Sequence, residues 1–396
     1  DFYLQILNLN SKRVASIGTI GIRTNYKNKM ISNTTLDPIE LGKTLVNLKK
    51  KKIDNVILEA SSHGLSQNRL DGLIFNIGVF TNLSHDHLDY HKNMNDYLNS
   101  KLYLFEKLIK ETGSIVADAN IPEIRKIKKI SRKKKINLDL ILDKYKGIQL
   151  ISHKFENERQ ILSIRFRGKK YDFKLNLIGK LQIKNLLMAI LCAAKNGIKL
   201  NNIIKILHKI KPVEGRLEKI GSIKNNSRVI LDYAHTPIAL ETTLKNLKEQ
   251  FPSSKISLVF GCGGDRDFKK RFAMGKIAEK YSNKIYLTDD NPRNENPSKI
   301  RKEIKRGIKK TKILEITKRN EAIYRAINEL NSGDLLLVAG KGHEKTQDYG
   351  TKIFFFSDQE EILKSIKIKN KFLSDDIKLN IINEVSKSKL SKHLTV

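Results

Sequence analysis

Asn55-Val56-Ile57-Leu58-Glu59-Ala60-Ser61-Ser62-His63-Gly64 is the stretch on which the fold turns. An apolar run of strand length passes directly into an acid, two hydroxyls, an imidazole and a glycine. A buried strand that ends in polar loop chemistry is what the carboxyl edge of an open parallel sheet presents to a ligand. The pattern recurs along the first half: Val14-Ala15-Ser16-Ile17-Gly18, Ile77-Gly78-Val79-Phe80-Thr81 and Ser114-Ile115-Val116-Ala117-Asp118 are strand-length runs bounded by polar residues or glycine. Pro38 to Lys51 and Met94 to Glu111 read as helices between them, so the order is βαβ and the sheet is expected to be parallel. From about Gly147 to Leu177 the period falls to two, as in Gln160-Ile161-Leu162-Ser163-Ile164-Arg165-Phe166, which predicts a small β-rich insert. Helices from about Ile183 to Lys195 and Asn202 to Lys209 follow, and Lys211-Pro212-Val213-Glu214-Gly215 reads as a connector. A second alternation then begins, with strands at 229–232, 256–260, 284–288, 312–316 and 335–339. The fold class expected is α/β, with two doubly wound domains, the second Rossmann-like.

Length and composition agree with this reading. At 396 residues, 39% of them hydrophobic, the chain has material for two or three cored units. Two cysteines cannot make a disulfide framework or a four-thiolate zinc site. No run of eighteen apolar residues and no basic leader is present, so an intracellular setting without membrane insertion is expected. The net charge of +34 suggests either a polyanion partner or a lysine-rich solvated surface. Arg125 to Lys135, with eight basic residues in eleven, reads as an amphipathic, solvated helix. Lys364 to Lys392 holds eight lysines against three acids and reads as an extension or linker.

The chemistry collects at strand ends. His85, Asp86, His87, Asp89 and His91 crowd the segment after Ile77–Thr81, a density that favours metal or phosphate chemistry over packed structural histidines. Carboxylates with one imidazole near phosphate suit Mg²⁺, which prefers oxygen ligands and keeps several waters. Lys101 taken alone is an ordinary helix-surface lysine. Asp232-Tyr233-Ala234-His235-Thr236-Pro237, Gly261-Cys262-Gly263-Gly264-Asp265-Arg266-Asp267, Asp289-Asp290-Asn291-Pro292-Arg293 and Gly340-Lys341-Gly342-His343-Glu344 again follow strands. Four crossovers ending in polar, loop-forming residues describe one crevice.

Together with Asn33-Thr34-Thr35 and Thr81-Asn82-Leu83, these strings strongly resemble the Mur ligases over about residues 1–363. Within that family they resemble the type that adds the third residue of the peptidoglycan stem peptide. The resemblance implies a central ATP-binding domain over residues 1–212, a C-terminal amino-acid-binding domain over 213–365, and a lysine-rich extension or linker over 366–396. It implies an ATP-dependent ligase that phosphorylates the carboxylate of UDP-N-acetylmuramoyl-L-alanyl-D-glutamate and lets the amine of meso-2,6-diaminopimelate attack the acyl phosphate, with Mg²⁺ as cofactor. Glu59, His87 and a carbamoylated Lys101 would hold the metal. Thr34, Thr35, Ser61, Gln67 and Arg69 would meet the muramoyl peptide, and Asn185, Arg216, Asp232 and His235 the nucleotide. Arg266, Asp290, Asn291, Arg293, Gly340 and Glu344 would form the diaminopimelate pocket, Arg293 gripping the distal carboxylate that lysine lacks and Glu344 the distal ammonium.

Two departures from the family pattern stand out. Leu181-Gln182 occupies the place of an expected aromatic–Asn pair, and no G-x-x-x-x-G-K-[ST] phosphate loop occurs. The expectation is that the chain starts just after that loop, lacks the uridine-nucleotide domain before it, and does not ligate alone. Fusion of the tail to a following enzyme is weighed against a frayed extension. A folylpolyglutamate synthetase is the nearest rival enzyme, and the Asp290–Arg293 motif argues against it. A nucleic-acid binder would need a groove-reading motif or stacking aromatics, and none is visible.

Overall fold

The computed structural model describes residues 1–24, 28–31, 33–84, 87–88, 90–143, 147–156 and 158–387, with the backbone alone for 376–387. The chain divides into two compact units, Asp1–Val213 and Glu214–Val396.

In the first unit, Val14–Gly18 and Asn55–Leu58 pair in parallel, and Gly21–Thr24 and Asn28–Lys29 continue this four-stranded sheet on the other side of Val14–Gly18. A second sheet has six strands in the order Lys169–Leu175, Arg159–Phe166, Ile148–Glu156, Asn137–Ile141, Ile109–Asp118, Phe75–Phe80. Its last four strands run parallel to one another, and the two before them pair antiparallel. The β-rich stretch is therefore an extension of the sheet and not a separate insert. The cause is burial: Leu162, Ile164, Phe173 and Leu175 share one core with Leu186, Leu187 and Ile190 of the helix Lys180–Lys195.

The helix expected to run to Glu111 stops at Tyr103, passes through a wider π turn over Leu104–Leu108 and enters a ten-residue strand at Ile109. Phe105, Leu108 and Ile109 are buried here, so packing overrides the helical period. Gly113 permits the strand to lie close, because a Cβ there would sit 2.8 Å from the carbonyl oxygens of Asn76 and Lys110. The strand Asn137–Ile141 has no counterpart among the sequence-derived elements.

The second unit holds a six-stranded sheet in the order Glu218–Lys219, Arg228–Asp232, Leu335–Ala339, Ile256–Phe260, Lys284–Leu287, Lys312–Glu315, parallel except for its first strand. The chain's last long strand is inserted between its second and third neighbours. That places the reversal of strand order at Leu335–Ala339, and a doubly wound sheet binds ligands beyond the carboxyl ends of the strands at such a reversal. Asp232, Gly261 and Gly340 all leave strands at this point.

Of the tail expected as an extension from residue 366, residues 366–387 lie within a helix, Asp358–Lys387, and the rest lies outside the described residues. Ile362 and Ile366 pack against Ile323 and Ile327, and buried Lys369 donates to the carbonyls of Asn328 and Leu330 at 2.9 and 2.7 Å. Among the described residues no helix is long and apolar enough to cross a membrane.

Candidate active site

Two groups of side chains form, one in each unit. In the first, the loop after Asn55–Leu58 becomes the short helix Ser62–Ser66 because Ser61 caps it, its Oγ accepting from Gly64 N at 3.0 Å. Buried Thr35 donates to Glu59 O at 2.8 Å and accepts from Ser61 N at 2.9 Å, and its own carbonyl accepts from Arg69 Nη1 at 2.8 Å. Gly64 is required for this contact, since a Cβ would lie 2.7 Å from Thr35. Thr34 meets Thr19, Oγ1 to Oγ1, at 3.1 Å. Glu59 Oε2 accepts from Thr19 N at 2.8 Å and Thr19 Oγ1 at 2.9 Å. Thr19 was not singled out from the sequence, though it follows the strand Val14–Gly18 and the strand-end rule reaches it.

Beside this network lies a ring cluster. His63 packs edge-on to His87 with centroids 5.0 Å apart, and against Tyr90 at 4.0 Å. Gln67 Nε2 donates to Tyr90 OH at 3.1 Å. His91 is buried, bonds Ser62 Oγ through Nε2 at 2.9 Å and stacks on Tyr97 at 5.0 Å. It packs as a core histidine. His87 is exposed and held at φ 56°, a conformation uncommon outside glycine. Tyr97 brings His87 and Lys101 together, with the His87 ring 5.7 Å from its centroid and the Lys101 Nζ 5.1 Å from it. Lys101 Nζ donates to Asn82 O at 3.2 Å. His85, Asp86 and Asp89 lie outside the described residues.

Among the described residues no three His, Cys, Asp or Glu side chains form a metal-holding group. Glu59 and His87 supply two donor types, and an unmodified Lys101 ammonium supplies none. The set fits a cation that keeps several waters, the habit of Mg²⁺, and gains an oxygen donor if Lys101 is carbamoylated.

In the second unit, the carboxylate of buried Asp232 accepts from Leu217 N, Ala234 N and Thr243 Oγ1 at 2.8, 2.9 and 3.0 Å. Burial raises its pKa, against the lowering effect of Arg216 and these donors. Asp232 thus anchors the turn that carries Arg216, whose guanidinium lies 4.5 Å over the Tyr233 ring. His235 Nδ1 bonds Tyr233 O at 2.8 Å, and Thr236 caps the next helix. Asn185 is exposed on the helix Lys180–Lys195 of the first unit.

Of the residues expected in the amino-acid pocket, Asn291 meets Glu344. Its Oε2 accepts from Asn291 Nδ2 at 3.0 Å and Lys341 Nζ at 3.1 Å, and its Oε1 from Tyr233 OH at 3.2 Å. Burial, with Glu344 nearby, pushes the Tyr233 hydroxyl up to about 12, so it stays a donor. Gly340, at φ 114°, lies against Asp290, whose Oδ2 would meet a Cβ at 2.6 Å. Asp290 Oδ1 accepts from Asn291 N at 2.8 Å. Arg293, at φ 50°, donates from Nη1 to Gly264 O at 2.7 Å and faces Asp348 at 3.8 Å. Arg266 is exposed in the loop before it. A separate depression of about 260 Å³, lined in part by Arg165, Arg167, Lys195 and Asp139, contains none of the expected site residues.

Known proteins place this architecture. The Mur ligase middle domain matches residues 3–193, and the Mur ligase, glutamate ligase domain matches residues 215–342. The UDP-N-acetylmuramoyl-L-alanyl-D-glutamate--2,6-diaminopimelate ligase of Rickettsia rickettsii is 41% identical over 374 residues, which cover 93% of this chain and 77% of the relative. The chain belongs to the Mur ligase family. The ligase of the same name from Chelativorans sp. (strain BNC1) is 39% identical over 369 residues, 92% of this Mur ligase chain and 75% of that one. A solved structure of a ligase with that name superposes with a TM-score of 0.67 at 29% identity, covering 93% of this chain and 75% of its own. Folylpolyglutamate synthase from Thermotoga maritima reaches a TM-score of 0.65 at 20% identity over 86% of this chain and 82% of its own, a likeness of fold alone.

Proposed function

We propose that this Mur ligase chain carries the sites for ATP-dependent addition of meso-2,6-diaminopimelate to UDP-N-acetylmuramoyl-L-alanyl-D-glutamate, a step of peptidoglycan precursor synthesis in the bacterial cytoplasm. The observation that carries the choice of amino acid is Arg293. The Gly264 carbonyl and Asp348 hold its Nη1 and Nε sides, and Nη2 has no partner among the described residues. A guanidinium held at its other two nitrogens, with Nη2 left to donate, suits a carboxylate oxygen. Diaminopimelate carries a distal carboxylate and lysine does not, so lysine would leave Nη2 without a carboxylate to bond. Glu344, held by Tyr233, Asn291 and Lys341, takes the distal ammonium.

The chemistry requires two polyanions to meet at one phosphoryl group. The γ-phosphoryl of ATP passes to the peptide carboxylate, leaving ADP. The amine then attacks the acyl carbon, phosphate departs and the ammonium proton is lost. Arg216, backed by the Tyr233 ring, meets the ATP phosphates, with His235 beside it and Asp232 fixing the Arg216 turn; Asn185 is the nucleotide contact of the first unit in this reading. Arg266 and Asp290 complete the amino-acid pocket with Gly340 and Asn291. Thr34, Gln67 and Arg69 face the muramoyl peptide, and Thr35 and Ser61 tie their loops together. Glu59, His87 and carbamoylated Lys101 hold Mg²⁺, which when bound neutralises phosphoryl oxygens.

Calorimetric titration with meso-diaminopimelate and with L-lysine tests the reading. Diaminopimelate is expected to bind at least about tenfold more tightly, the scale of one unpaired charge-assisted contact. Equal affinities would remove the assignment.

A further inference from the structure

Lys341 belongs to the Gly340–Glu344 motif and holds Glu344, but it meets no ligand in the reading above. Its side chain is fully buried, at 0% exposure. Nζ donates to Asn291 Oδ1 at 2.9 Å, Glu344 Oε2 at 3.1 Å and Thr346 O at 2.6 Å. An ammonium has three donors and no acceptor, so the group is saturated and has no hydrogen left for a ligand. The three bonds join the motif to Asn291 and to the strand Thr346–Asp348, which faces Arg293.

We propose that Lys341 is a positioning residue that sets both the geometry and the net charge of the amino-acid pocket, and so determines its preference for a ligand with two carboxylates; this rests on the diaminopimelate reading of the pocket. Charge arithmetic supplies the reason. Around the pocket, Lys341, Arg293 and Arg266 stand against Glu344, Asp348 and Asp290. Diaminopimelate, with two ammonium and two carboxylate groups, is neutral overall, whereas lysine carries one positive charge. Removing the Lys341 charge makes the pocket more negative by one unit, which penalises the second carboxylate and favours the cation. Glu344 also loses the cation that bonds its Oε2, and Asn291 Oδ1 loses the Lys341 donor and keeps Asp348 N at 3.1 Å.

Lys341→Met keeps the unbranched stem and removes the charge. Titrated with meso-diaminopimelate and L-lysine, it is expected to show a selectivity ratio lowered by about tenfold, the scale of one charged hydrogen bond. Adding Glu344→Gln restores the pocket charge and moves the ratio back, because both ligands carry the distal ammonium that Glu344 meets. A purely structural lysine would weaken both ligands and leave the ratio unchanged. In the ligand-free chain, Lys341→Met, Glu344→Gln and the double variant form a cycle in urea unfolding, and the double is expected to lose less than the sum of the singles. An unchanged ratio or an additive cycle overturns the proposal. Failure of the unsubstituted chain to prefer diaminopimelate refutes the pocket reading instead, and the cycle then decides whether Lys341 holds Glu344.

Discussion

Asp358→Ala is expected to destabilise the second unit severely. Arg319, at 1% exposure, opens the helix Arg319–Asn328, and Asp358 opens the helix Asp358–Lys387 at 0%. They meet in a bidentate pair, Nε to Oδ1 and Nη2 to Oδ2, both at 2.7 Å. Nη2 also donates to the carbonyl of Ala339 at 2.9 Å, the residue before Gly340, and Nη1 is buried without a hydrogen-bond partner among the described residues. Burial works against the Arg319 charge and Asp358 outweighs it. Truncating Asp358 leaves a guanidinium in a dry interior with one carbonyl for company. A buried ion thus stripped of its partner costs about 3–5 kcal/mol, which at roughly 2–4 °C per kcal/mol in a unit of this size lowers its melting transition by roughly 6–20 °C.

The competing effect is desolvation, and a second variant separates the two. Replacing both partners, Arg319→Met with Asp358→Leu, removes the charges together, and such exchanges range from neutral to stabilising. The double variant is therefore expected to lie much closer to the unsubstituted chain than Asp358→Ala does. Hydrogen exchange at amides of Leu335–Ala339 reads this unit separately from the first, where a single melting curve would mix the two. A loss under about 1 kcal/mol for Asp358→Ala, or a double variant as damaged as the single, refutes the reasoning.

Two further outcomes follow from titrating groups. Burial pushes the thiols of Cys192 and Cys262 up to about 12, so at pH 8 neither is a thiolate. An aromatic disulfide reagent is expected to find no fast-reacting thiol in the native chain and two after unfolding, whereas one rapid equivalent in the native state would contradict the packing. At Glu329 burial acts to raise the pKa, but hydrogen bonds from Lys284, Tyr286 and Arg325 hold it down to about 2, against 4.5 unfolded. A depressed carboxyl stabilises above its unfolded value and loses that contribution as pH falls towards 2. Glu329→Gln should lower the unfolding midpoint at pH 7 and do so far less at pH 2; a gap that persists undiminished in acid would trace to packing.

The strand ends were legible because two constraints meet in one short run. A strand must be apolar to be buried, and the residue after it must be polar to reach the crevice, so Glu59, Asp232, Asp290 and Gly340 announce themselves by position. The antiparallel extension over Ile148–Leu175 was legible as strands and not as part of the larger sheet, because alternation reports one buried face and is silent about the neighbour in the hydrogen-bonding direction. Thr19 escaped because a hydroxyl after a glycine looks like any turn. Lysines show the deeper limit. Lys101, Lys341 and Lys369 are the same letter, yet Lys101 is half-buried beside a tyrosine ring and a carbonyl, Lys369 is pushed below its usual pKa by burial on two carbonyls, and Lys341 is sealed against a carboxylate, a carboxamide and a carbonyl. Nothing local separates them, since each role is fixed by partners up to 50 residues away. A total charge of +34 sums over such differences, so it carries little information about function. The pocket responds to single charges, and one unit at Lys341 outweighs the surface excess because the interior screens it far less than water screens the rest.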